Sequence, residues 1–67
     1  MPRVGNLIRV LHPDYAAGIL GSIQAQETSG RWLVRLLDNP LENINEPLIL
    51  SLEESDFEVL DSQSPQS

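Results

Sequence analysis

The stretch Gly30 to Leu37 constrains the fold of this chain more than any other. It reads Gly-Arg-Trp-Leu-Val-Arg-Leu-Leu and lies between turn-forming segments. Side chains of an extended strand alternate between two faces, so Trp32, Val34 and Leu36 fall on one side and Arg31, Leu33, Arg35 and Leu37 on the other. The first face is wholly apolar, and the second mixes arginine with leucine. This is the pattern of a strand with one buried face, which needs neighbouring strands to complete the burial. Trp32 on that apolar face is expected in the core; a ligand platform would call for several aromatics interleaved with basic residues.

The rest of the chain supplies the neighbours. Asn6 to Leu11 reads as a first strand, with Ile8 and Val10 on one face and Leu7, Arg9 and Leu11 on the other. His12-Pro13 ends it, because proline cannot donate to a ladder. Residues 13–18 then form a loop to a second strand, Gly21 to Glu27. There Gly21, Ile23 and Ala25 face inward and Ser22, Gln24 and Gln26 face water. Thr28-Ser29-Gly30 is a three-residue connection containing glycine, which predicts a hairpin into the tryptophan strand. Asp38-Asn39-Pro40 stops that strand, and residues 38–46 read as a longer excursion in which Leu41 and Ile44 fold back as a partial lid. Pro47 to Leu52 is a fourth strand. Glu53 to Asp56 is one tight helical turn, with Ser55 and Asp56 placed to bond nearby backbone donors. Phe57 to Leu60 is a short last strand.

These elements predict an all-β domain over residues 1–61, a small five-stranded SH3-like barrel with one short helical turn before the last strand. Closing or nearly closing the sheet removes edges that would invite aggregation. Residues 62–67, rich in serine and glutamine, have nothing to bury and are expected to be a disordered tail.

Composition narrows the chemistry. A chain of 67 residues buries only about 60% of the surface its unfolded form exposes, so its core is small. With no cysteine and one histidine, neither a disulfide framework nor a multi-histidine metal site is open to it. No apolar run approaches the roughly 18 residues of a membrane span, and the first residues lack a signal peptide's hydrophobic region. A soluble, cytoplasmic protein is the expectation. The net charge of −6 is unevenly spread. Residues 1–37 hold all four arginines and two acids, giving +2; residues 38–67 hold eight acids and no base, giving −8. An acid-rich surface repels phosphate backbones, which disfavours nucleic acid as a partner.

Gly5-x-x-Ile8-Arg9-Val10-Leu11-x-Pro13-Asp14-Tyr15, followed by Gly21-x-Ile23, resembles the opening of the E-type subunit family of the photosystem I reaction centre. Gly30 to Leu36, with the late Leu52-x-x-Ser55-x-Phe57-Glu58-Val59-Leu60, is similar to other small SH3-like proteins of cyanobacteria and plastids. Those include the variable chain of ferredoxin–thioredoxin reductase, the ferredoxin-docking S-type subunit of the photosynthetic NDH-1 complex, and a small activator of a sensor histidine kinase. The pattern also overlaps the KOW motif of ribosomal and transcription proteins. The resemblance spans roughly residues 5–60 and rests mainly on glycines and apolar positions. It implies non-catalytic docking of a protein partner, often in photosynthetic electron transport, by an accessory protein that is cytoplasmic or peripheral to a thylakoid or other complex.

No residue is assigned a catalytic role. A nucleophile needs a base within hydrogen-bond reach and a third group to orient it, and nothing in the spacing around His12 provides that. No cofactor or metal is expected. The acids of residues 53–61 lack the glycine and the ligand spacing of a calcium loop. The residues expected to bind a protein partner are Tyr15, in the first loop, and Arg31, Leu33, Arg35 and Leu37, on the outward face of the tryptophan strand. Exposed apolar pairs flanked by arginine mark interfaces. Alone, the chain is expected to be a monomer. The alternative is a KOW-type RNA- or ribosome-associated module using Arg9, Arg31 and Arg35; against it stands pairing of those arginines with the chain's own acids.

Overall fold

The computed structural model of the chain describes residues 1–40 and 46–60. Five strands form one antiparallel sheet: β1 Leu7–Val10, β2 Leu20–Gln26, β3 Trp32–Leu36, β4 Ile49–Leu52 and β5 Phe57–Val59. Their order is β4-β3-β2-β1-β5, so β1 pairs with both the second strand and the last. This is SH3-like connectivity. Two 3-10 turns interrupt the strands, Asp14–Ala16 between β1 and β2 and Glu54–Asp56 directly before β5. The fold is therefore all-β, with the helical turn where the sequence places it.

One face of the sheet is buried. Ile8 and Val10 of β1, Ile23 of β2, Trp32, Val34 and Leu36 of β3, Leu52 of β4 and Phe57 of β5 make the core, joined by Ala16 from the first 3-10 turn. Ile19, Leu48 and Leu50 pack against it, half-buried. The two strands at the ends of the order thus bury side chains in the same core, which requires the sheet to curl around it. The inward set of β1 and β3 is the one that alternation assigns.

The β2–β3 hairpin closes as expected. The Glu27 amide donates to the Arg31 carbonyl at 2.7 Å, and the Gly30 amide to the Glu27 carbonyl at 2.8 Å. Gly30 has φ of +96°, a left-handed conformation that glycine adopts at little cost. Further along, the pairing slips: Ile23 opposes Val34, but Ala25 opposes Leu33. Gln24 and Ala25 together face one residue of β3, which is a β-bulge. Ala25, expected inward, therefore shares the outward face with Leu33 and is half-buried. Strict alternation cannot anticipate an inserted residue.

Gly21 answers to a different constraint. A Cβ there would lie 2.8 Å from the Arg35 carbonyl oxygen and 2.9 Å from Val34 Cγ1. The strands approach so closely at this point that only hydrogen fits.

The second 3-10 turn ties the end of β1 to the start of β5. The Asp56 carboxylate accepts the Glu53 amide at 3.1 Å, as its place in the turn suggests. The Asp56 carbonyl accepts the amides of Leu11, at 2.8 Å, and His12, at 3.1 Å. The His12–Pro13 peptide bond is cis. At the other end of the chain Pro2 is buried and the Gly5 amide donates to the Ile23 carbonyl at 2.8 Å. The short lead-in before β1 is thus anchored at Pro2 and Gly5, while Met1 and Val4 stay exposed. The expected lid at Leu41 and Ile44 and the tail at 62–67 lie outside the described residues.

A domain of this size has roughly 3–10 kcal/mol of stability to lose. Val34 is fully buried, so Val34→Asp places an unpaired carboxylate in the core at a cost on the order of 4 kcal/mol or more and is expected to unfold the chain. Leu33→Asp, on the opposite face, is expected to remain folded; circular dichroism of the pair reads the facing directly, and the reverse result would invert it. Gly21→Ala is expected to cost about 1–3 kcal/mol through overpacking. An unchanged urea midpoint for Gly21→Ala would refute the close approach.

Candidate partner-binding face

The outward side of the sheet is assembled by register. Cα pairing aligns Ile49 of β4, Arg35 of β3, Ser22 of β2 and Leu7 of β1 in one row across four strands. A second row runs from Ser51 through Leu33 to Ala25. A third joins Leu20, Arg9 and Glu58. Leu37, one residue past β3, lies beside the third row, its amide donating to the Leu20 carbonyl at 2.9 Å.

Aliphatic side chains on this face are open to solvent: Leu37 is 64% exposed, Ile49 55% and Leu7 39%. Arg35 is exposed among them. No hydrogen bond or ion pair holds its guanidinium among the described residues. A cleft of about 330 Å³ opens beside it, lined by Ser22, Arg35, Leu36, Leu37, Asn39, Glu46 and Pro47. Asn39 Nδ2 donates to the Glu46 carbonyl at 2.7 Å and so braces the wall of the cleft.

The other two strand arginines are engaged. Arg9 Nη1 sits 2.7 Å from Glu58 Oε2, its cross-strand neighbour. Arg31 makes a larger network: Nε donates to Ser51 Oγ at 2.9 Å, Nη2 to the Ser51 carbonyl at 2.7 Å, and Nη1 to Glu53 Oε2 at 3.0 Å. Ser51 Oγ donates in turn to Glu27 Oε1 at 2.5 Å. β4 stands at one end of the strand order, so Arg31 covers an edge carbonyl with a charged donor, one way in which sheets discourage further strands from adding. This network unites a serine with carboxylates but contains no imidazole. His12, the only imidazole, belongs to the turn after β1. Among the described residues no three histidine, cysteine, aspartate or glutamate side chains gather as a metal site.

Of the five residues expected to bind a partner, the structure brings Leu33, Arg35 and Leu37 onto one face. Leu33 is half-buried there, between Ser51 and Ala25. Arg31 shares the parity, but its guanidinium is committed to Ser51 and Glu53. Tyr15, 54% exposed, stands apart in the first 3-10 turn. Ile49, Leu7 and Ser22 were not singled out by sequence, although alternation already placed Leu7 outward. Only inter-strand register puts them beside Arg35.

No protein-family model matches the chain, and no curated protein or solved structure matches it either. No helix among the described residues is long and apolar enough to cross a membrane.

The Arg9–Glu58 pair is close to half exposed on both sides, so a double-mutant cycle of Arg9→Ala and Glu58→Ala is expected to return a coupling of no more than about 1 kcal/mol. A coupling well above that value would make the pair a structural clamp between β1 and β5.

Proposed function

We propose that this chain is a non-catalytic protein-binding module that receives its partner on the outward face of the sheet, around Arg35. One observation carries the reading. An arginine without an internal acceptor among the described residues stands in a row with Ile49 and Leu7 and beside Leu37, all exposed aliphatics. Arginine with aliphatic neighbours is favoured at protein interfaces, where the guanidinium fork supplies direction and the apolar atoms supply the driving force. The resemblance to small photosynthetic docking proteins supports an accessory role of the same kind, in the cytoplasm or at the periphery of a thylakoid or other complex. The RNA-associated alternative would draw on Arg9, Arg31 and Arg35 together. Glu58 and Glu53 hold two of the three, which weakens that reading.

Affinity capture from the native cell, with Leu37→Asp alongside the wild type, tests the proposal. A protein retained by the wild type and lost by the folded variant is the expected result. Recovery of RNA without protein, weakening steeply with salt and abolished by replacing the three arginines, would sink it.

A further inference from the structure

We propose that the outward face around Arg35 is also a self-association surface, and that its occupant is a second copy of this chain in a two-fold pair. The inference rests on the reading of this face as a docking surface and names one occupant for it.

An interface related by a two-fold axis uses the same patch twice, so the patch has to complement itself. This one does. Arg35 and Glu46 border the same cleft beside Leu37, yet no ion pair joins them among the described residues. Glu46 is exposed, and the hydrogen bond shown there engages its backbone carbonyl, which accepts from Asn39, not its carboxylate. A two-fold axis through the cleft brings Arg35 of each copy to Glu46 of the other, with Leu37 and Ile49 as the apolar contact between the two charge pairs. The same arrangement argues against a simple acidic ligand. A lone carboxylate approaching Arg35 meets Glu46 beside it, whereas a second copy brings a carboxylate for Arg35 and a guanidinium for Glu46.

Scale and charge make the association weak. Five strands spaced about 4.8 Å apart and some five residues of about 3.4 Å each project only about 300 Å², well under the roughly 800 Å² per partner of a standard interface. Each copy also carries a net charge of −6, which opposes the approach. A dissociation constant in the range of roughly 100 µM to 1 mM is expected.

Sedimentation velocity on the purified full chain, from about 10 µM to about 1 mM, reads this directly. The wild type is expected to move from monomer toward dimer across the series. Arg35→Glu and Glu46→Arg, each alone, are expected to stay monomeric, since each creates two like-charge contacts in the pair. An equimolar mixture of the two variants restores both opposite-charge contacts and is expected to associate as the wild type does, which also shows that both variants fold. A wild type that stays monomeric throughout overturns the proposal, and so does a mixture that fails to associate where the wild type succeeds. Neither of those outcomes touches capture of another protein, so the two readings fail separately.

Discussion

The Ile23–Val34 pair across β2 and β3 is the contact on which the remaining architecture depends. Both side chains are almost wholly removed from water, and the pair stands where the ladder changes register. On one side of it the strands run in step to Gly21 and Leu36. On the other the bulge inserts a residue and Gln26 comes opposite Trp32. Because side chains alternate with a period of two, a slip of one residue here would turn Trp32, Val34 and Leu36 to water together. No other source of stability offsets that loss, since the chain has no disulfide and its core is that of a small domain. The absent side chain at Gly21 belongs to the same constraint: it lets β2 lie against Val34 and the Arg35 carbonyl closely enough for the register to hold.

Charge does something different. Neither ion pair is buried, and exposed pairs contribute little to folding. Their value is in what they prevent. Arg31 commits its donors to Ser51 and Glu53 and so covers an edge carbonyl of β4 that could otherwise receive a further strand, while Arg9 commits one donor to Glu58. The acidic second half of the sequence thereby neutralises much of the basic first half within the fold. Arg35 forms an ion pair with neither acid.

Where local pattern decides structure, the sequence was legible. Apolar alternation in β1 and β3 identified Ile8, Val10, Trp32, Val34 and Leu36 as core, and the Thr28-Ser29-Gly30 connection identified the hairpin, because both signals live within a few neighbouring residues. What depends on meeting a distant strand was not. The bulge at Gln24 and Ala25 is a property of two strands in register, so single-strand alternation sent Ala25 to the wrong face. Burial of Pro2 depends on the lead-in folding back toward β2, which no periodicity announces. The site divides along the same line. Leu33, Arg35 and Leu37 could be grouped because they share one strand, while Ile49, Ser22 and Leu7 join them only through pairing between strands. Arg31 has the same parity as Arg35, and nothing in its own neighbourhood says that Ser51 and Glu53, some twenty residues on, will hold it.

The two faces of β3 therefore answer to separate pressures. Its inner face is closely packed, so substitutions there are felt in stability. Its outer face is bordered by exposed aliphatics, Leu37 just past its end and Ile49 on β4, that add little to the core, and Arg35 forms none of the bonds that hold the sheet through its side chain. An exposed apolar side chain standing alone needs no explanation, but several grouped around an arginine with no acceptor among the described residues do. Folding accounts for Trp32, Val34 and Leu36 completely. It leaves Arg35, Leu37 and Ile49 unexplained, and the contact with another protein surface that we propose would give a guanidinium, two aliphatic side chains and a neighbouring carboxylate their partners.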